Sequence, residues 1–264
     1  MRGLVNHGNN CYFNASIQVL AHIPILANSF IKTPYEGPCS FTREFSEFIH
    51  KFWRASPEPR KPLDPLAMIR EFRKHFPRFR DDEQHDVQEC VLCIIDIIER
   101  AVPRVKEWVY GTKTQETHWP GGSSKTKDPF CVHILTHDRS GDLGRMLENA
   151  SKWNAVEGYE DSDGEKHHVA TTRTVLTETP KVLFISFDKK SHVDVVERLS
   201  FSNGSTYRLV ASAVHAGAQF TGHYMAFTKH GGKWSFRDDE ICRECELEKT
   251  AGHYFMAYAR QKTP

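Results

Sequence analysis

Apolar positions in the first hundred residues recur at three- and four-residue intervals, whereas those in the last eighty fall in short runs. The first pattern is that of helices with one buried face, and the second that of strands. Cys11 to Ala21 is a near-continuous apolar run of helical length, entered through Gly8-Asn9-Asn10. Pro24 and the stretch Thr33-Pro34-Tyr35-Glu36-Gly37-Pro38 predict a loop after it. Phe41, Phe45, Phe48, Ile49, Phe52 and Trp53 then line one face of a second helix. Ser56 to Pro65 reads as an extended connector, because its prolines oppose helix. A helix from Leu66 to about His75 closes at Pro77, and another runs from about Gln84 to Ala101. Val87, Val91, Ile94 and Ile98 form the apolar row of that last helix, which Leu92, Ile95 and Ile97 widen.

From Glu107 to about Thr179 the pattern changes to short alternating stretches. Between them, Gly121-Gly122-Ser123-Ser124-Lys125 reads as a flexible loop and Tyr159 to Lys166 as a polar turn. Val182 to Phe187 is a continuous apolar run of buried-strand length. Tyr207 to Val214, His223 to Thr228, Lys233 to Phe236 and His253 to Tyr258 follow as strands, with Gly231-Gly232 as a tight hairpin. Helices first and antiparallel strands afterwards predict an α+β protein with a cleft between its halves.

Composition narrows the function classes. The 264 residues are 39% hydrophobic and 26% charged, with a formal net charge of +1. That balance gives no footprint for nucleic acid or an anionic membrane. The most apolar run, Val91 to Ile98, is short and carries Asp96, so no membrane span is expected. Seven scattered cysteines do not form a secreted disulfide framework, and no signal-peptide core is present. The expected setting is a reducing compartment, cytosol or nucleus, and the expected state a monomer.

The candidate chemistry centres on Cys11. Asn10 is a good residue to cap the following helix, which would put the thiol in a first turn that favours negative charge and lowers a cysteine pKa. A buried hydrophobe is the bland alternative. A thiol nucleophile needs a base, and the base an orienting acceptor. Among fifteen histidines, His223 stands out in Phe220-Thr221-Gly222-His223-Tyr224, with Asp238-Asp239 beyond a hairpin. Asp86 and Glu89 share one face near a helix start, where dipole complementation alone accounts for two carboxylates.

Four blocks, in order, resemble those of the ubiquitin-specific proteases. Gly3 to Asn14 is similar to that family's cysteine box. Gln84-His85-Asp86-Val87-Gln88-Glu89 resembles its central helix start, and Pro180 to Ile185 the strand after its fingers. Leu209 to Asp239 resembles its histidine box, with Trp234 and the paired aspartates in place. The resemblance implies a papain-like fold: a helical thumb (1–106), a short fingers insertion (107–180) and a β-rich palm (181–264), as one catalytic domain. It implies a thiol protease that cleaves after the C-terminal glycine of ubiquitin, with ubiquitin and ubiquitinated proteins as partners and no cofactor. By position, Cys11 matches the nucleophile, His223 the general base, Asp238 its orienting residue and Asp239 the second acidic residue. Asn6 matches the oxyanion donor. Asp86 and Glu89 would take the two arginines of ubiquitin's tail, and Gln84, Gly222 and Tyr224 belong with them as substrate contacts, the last two lining the glycine channel.

This chain departs from the family in four places. The turn Tyr159 to Lys166 holds no cysteine and Cys131 stands alone, so metal-free fingers are expected. Arg237 replaces an aromatic residue before Asp238, and Ala15 and Cys90 also replace expected residues. Cys90 and Cys93 read as core sulfurs; Cys242 and Cys245 with His253 make three ligands at most, so no metal is expected. The alternatives are a silent ubiquitin-binding module, a protease for another ubiquitin-like modifier, or a Cys/His metal-binding interaction protein.

Overall fold

The computed structural model describes residues 2–54, 61–80, 83–188, 193–218 and 221–261. The first half of the connector expected from Ser56 to Pro65, together with Asp81, Asp82 and Phe220, lies outside them. The helical half comprises α1 (Cys11–Ala21), α2 (Pro24–Lys32), α3 (Ser40–Trp53), α4 (Leu66–His75), α5 (Val87–Ala101) and α6 (Lys106–Val109). Where Pro24 predicted a loop, it opens α2 instead. Proline at a first helical position gives up only an N–H that has no helical partner anyway. Helix α5 begins three residues later than expected, because Asp86 caps it and leaves Gln84 and His85 outside.

Two sheets follow. The fingers are a four-stranded sheet of order β2 (Gly122–Phe130), β1 (Gly111–Trp119), β5 (Lys166–Glu178), β4 (Asn154–Glu160). The flexible loop predicted at 121–125 is instead a tight β1–β2 hairpin. Gly121 takes the positive φ of its turn, and Ser123 to Lys125 are paired strand. At the sheet's tip Trp119 packs on Tyr159 and His167, with centroids 5.2 and 5.4 Å away. His167 Nε2 meets Asp161 Oδ2 at 2.8 Å. An unpredicted helix, α7 (Leu143–Ala150), is capped by Asp142 and buries Leu143 and Met146.

The palm orders β11 (Ile241–Cys245), β10 (Lys233–Asp238), β9 (Thr221–His230), β8 (Thr206–Ala218), β12 (His253–Arg260), β6 (Val182–Phe187) and β3 (Val132–Leu135), with β7 (Arg198–Ser200) on β8. It is antiparallel except at β3, which runs parallel to β6. Strand β6 alternates between two cores: Val182 and Phe184 face the thumb, whereas Leu183, Ile185 and Phe187 face the opposite layer. The sheet is therefore covered on both sides, which is why β6 has no polar alternation. Helix α1 packs against α5 and β9, with all its residues buried, Asn14, Ser16 and Gln18 included. Among the described residues, no helix is long and apolar enough to cross a membrane.

Candidate active site

Cys11 is the first residue of α1 and is 5% exposed. Gly8 supplies the sharp approach, at φ +115. Asn10 occupies the cap position without a side-chain cap bond, contrary to expectation. Its Oδ1 is taken by Arg73 Nη2 at 3.1 Å, and its N–H reaches Asn6 Oδ1 at 3.3 Å. The thiol's acidity also differs from expectation. Burial pushes the Cys11 thiol above its ordinary value, and Asp239 adds to the rise; backbone N–H groups of Tyr224, Tyr12 and Cys11 itself oppose it only in part. Desolvation here outweighs the helix N-terminus.

The Tyr224 N–H beside the thiol places Cys11 next to the strand that carries His223. His223 Nε2 lies 2.6 Å from Asp238 Oδ1 and 4.0 Å from Asp239 Oδ2. With Asp238 accepting at Nε2, Nδ1 is the ring nitrogen left to take a proton from sulfur. The β9–β10 hairpin makes this pairing: Gly231 and Gly232 both take positive φ, and the ladder runs from Lys233↔His230 to Arg237↔Ala226. A second tight turn joins β10 to β11, and there Asp239 has φ +47, a left-handed conformation that aspartate tolerates better than most residues.

Three bonds from the N-terminal stretch hold that turn. Leu4 N–H donates to Asp239 O at 2.7 Å, Asn6 Nδ2 to Asp239 Oδ2 at 2.7 Å, and Asn14 Nδ2 to Asp239 Oδ1 at 2.7 Å. Asn14 Nδ2 also lies 3.3 Å from Val5 O, so both its amide hydrogens are used. This role of Asn14 was not legible beforehand; the available signal was an amide among the polar positions of a mainly apolar helix.

The remaining sequence candidates line the cleft opposite. Gln84 Oε1 accepts from Gly222 N–H at 2.8 Å, joining the thumb to the strand just before His223. A Cβ on Gly222 would come within 2.4 Å of His215 Nε2 and 2.6 Å of Ala216 O, so only glycine fits there. Asp86 Oδ1 accepts from Gln88 N–H at 2.7 Å as the α5 cap, and its Oδ2 takes Tyr224 Oη–H at 3.2 Å. Tyr224 is 3% exposed, so little of its side chain reaches the surface. Glu89, one turn on, pairs with Arg78 at 2.8 Å, and both side chains are about half exposed.

Cys90 is fully buried and Cys93 nearly so. His253 is satisfied by Ser212 Oγ and Glu248 O, each at 2.8 Å, and does not join Cys242 and Cys245 in a ligand set. Among the described residues, the groups whose ligand atoms converge are Asp161-Glu165-His167 and His223-Asp238-Asp239. The second is the arrangement of a base and its carboxylates beside a thiol, which needs no metal to work.

The model of the ubiquitin carboxyl-terminal hydrolase family matches residues 2–258. Ubiquitin carboxyl-terminal hydrolase 17 of Arabidopsis thaliana is 27% identical, over 98% of this chain and 42% of that relative. Ubiquitin carboxyl-terminal hydrolase 42 of Homo sapiens is 23% identical, over 98% of this chain and 23% of that relative. The chain thus spans less than half the length of either. The solved SAGA DUB module Ubp8/Sgf11/Sus1/Sgf73 bound to ubiquitin aldehyde superposes with a TM-score of 0.87, at 18% identity, over all of this chain and 70% of that one. The expected papain-like α+β fold is the one they share.

Proposed function

This chain belongs to the ubiquitin carboxyl-terminal hydrolase family, and on that premise we propose that it is a deubiquitinating thiol protease cleaving after the C-terminal glycine of ubiquitin. The observation that carries this reading is the meeting of three distant stretches: Cys11 at a helix start, His223 held by Asp238, and Asn6 held by Asp239.

In the resting site burial favours the protonated thiol. As Cys11 Sγ attacks the glycyl carbonyl, His223 Nδ1 takes the thiol proton and Asp238 stabilises the imidazolium. Asn6 offers its second amide hydrogen to the oxyanion, together with backbone N–H groups at the start of α1; one such side-chain donor contributes about 2.7–4 kcal/mol. The imidazolium then protonates the departing lysine amine as the C–N bond breaks. Water, deprotonated by His223, attacks the thioester, releasing a carboxylate and returning the proton to sulfur.

Substrate selection follows from the same cleft. The lack of room beside Gly222 and the buried Tyr224 support a narrow approach suited to residues without side chains. Glu89 can exchange Arg78 for a tail arginine, with Asp86 one turn away.

The test is ubiquitin carrying a thiol-reactive group at its C-terminus, incubated with the wild type and with Cys11→Ala. An adduct on the wild type alone is expected. Labelling of both, or of neither while a probe of another ubiquitin-like modifier labels the wild type, overturns the reading.

A further inference from the structure

Arg237 is 2% exposed, yet its guanidinium's hydrogen-bond partners among the described residues include no carboxylate. Nε donates to Thr228 Oγ1 at 3.0 Å. Nη1 donates to Arg2 O at 3.1 Å and Cys242 Sγ at 2.9 Å. Nη2 donates to His22 Nε2 at 3.2 Å, and the Phe52 ring lies 5.9 Å from the guanidinium carbon. His22 is suited to accept, because its Nδ1–H is given to Gln18 O at 2.7 Å. Burial, with Arg237 close by, also pushes His22 well below its ordinary range and keeps it neutral. A buried cation without a counter-ion is costly unless its donors are satisfied together. Here that requires four parts of the fold to be in place at once, the N-terminal stretch, the end of α1, β9 and β11, with the Phe52 ring of α3 alongside.

Arg237's own strand, the end of α1 and the N-terminal stretch lead back to the reacting groups. Arg237 is joined through its backbone to Asp238. His22 caps the end of the helix that starts at Cys11. Arg2 O, which also accepts from Gln18 Nε2 at 3.1 Å, opens the strap that carries Asn6. Gly3 in that strap lies so close to the β10–β11 turn that a Cβ would come within 2.1 Å of Glu240 O. Leu4 and Asn6 then bond Asp239.

We propose that Arg237 is a positioning residue: its guanidinium sets the strand bearing Asp238 against the helix bearing Cys11 and pins the strap that presents Asn6. The inference rests on the thiol-protease reading above. Lysine cannot replace it, since one ammonium cannot span acceptors arranged around a planar fork.

The test compares the wild type with Arg237→Lys, Arg237→Met and Thr228→Val, scoring turnover of a ubiquitin C-terminal ester or amide, Tm, and hydrogen exchange at the Leu4 amide. A misplacement of catalytic groups by about 1 Å lowers rate about 100-fold. Arg237→Lys should therefore lose about 10- to 100-fold in kcat, Thr228→Val less, and both should keep KM within about threefold while still folded. Leu4 exchange should speed up about tenfold or more, with no substrate present. Folded variants with wild-type kcat and wild-type Leu4 exchange overturn the proposal, as does a rise in KM with kcat unchanged. If Arg237→Met does not fold, the other two variants decide the matter. An inactive wild type would instead sink the functional reading, and Leu4 exchange would still report on Arg237.

Discussion

Asn6 and Asp239, 233 residues apart, are joined by a 2.7 Å hydrogen bond. The bond ties the proposed oxyanion donor to the turn that carries the carboxylates behind His223. Asp239 itself adopts φ +47, and Leu4, Asn6 and Asn14 all bond it. The two sides of the cleft thus share one hydrogen-bonded unit.

Asn6→Ala should lower kcat by about 100- to 1000-fold with little change in KM, as for loss of one oxyanion donor. Asp239→Asn keeps an acceptor for one of the two amides, so it should retain more activity than Asp239→Ala. Steady-state kinetics on one ubiquitin substrate checks both; equal activity of the two Asp239 variants would count against the shared unit.

Asn14 is required as a double donor, since Val5 O and Asp239 Oδ1 both need a hydrogen. Asn14→Asp sets a buried carboxylate against two acceptors. It should lose about 3 kcal/mol of stability or more, and more than Asn14→Ala, which leaves acceptors unpaired without adding repulsion. Urea unfolding of the two variants tests the order.

Glu89 and Asp86 should separate by readout. Glu89→Lys reverses an exposed charge, so KM should rise about tenfold while kcat and Tm hold. A ubiquitin whose tail arginines are replaced by alanine should show no such rise. Asp86→Ala removes the α5 cap and the Tyr224 contact as well, with a stability loss of about 1 kcal/mol or more. A Glu89→Lys enzyme with unchanged KM would remove the tail-arginine assignment.

His253 should make the fold acid-sensitive. Burial lowers its pKa from 6.5 to about 4, against the opposing pull of the bond to Glu248 O and of the Asp194 carboxylate. Below pH 6.5 the unfolded chain takes up a proton that the folded chain refuses. Stability is therefore full above pH 6.5 and falls toward pH 4, by about 3 kcal/mol for this group. His253→Gln, which can donate and accept without titrating, should flatten that fall; chemical denaturation at several pH values would show it.

Local patterns in the sequence determined a good part of this protein. Aromatic spacing marked α3, the run 182–187 marked β6, and α4 begins and ends where Leu66 and His75 predicted. Those patterns depend on which side of an element is buried, and that is written in consecutive residues. Short-range arrangement also made candidates of Cys11 at a helix start and of His223 one hairpin from Asp238 and Asp239, while their roles came from the family resemblance of their blocks. What only tertiary structure decided depends on residues far apart in the chain. Asn10 looks like a side-chain cap until Arg73 takes its oxygen, and Pro24 looks like a loop until it opens α2. The acidity of Cys11 followed its burial rather than its helix position, because desolvation is set by everything packed around the sulfur. In the sequence Arg237 stood only as a departure from the aromatic residue expected before Asp238. Its four acceptors come from the N-terminal strap, α1, β9 and β11, and no window of sequence contains them together.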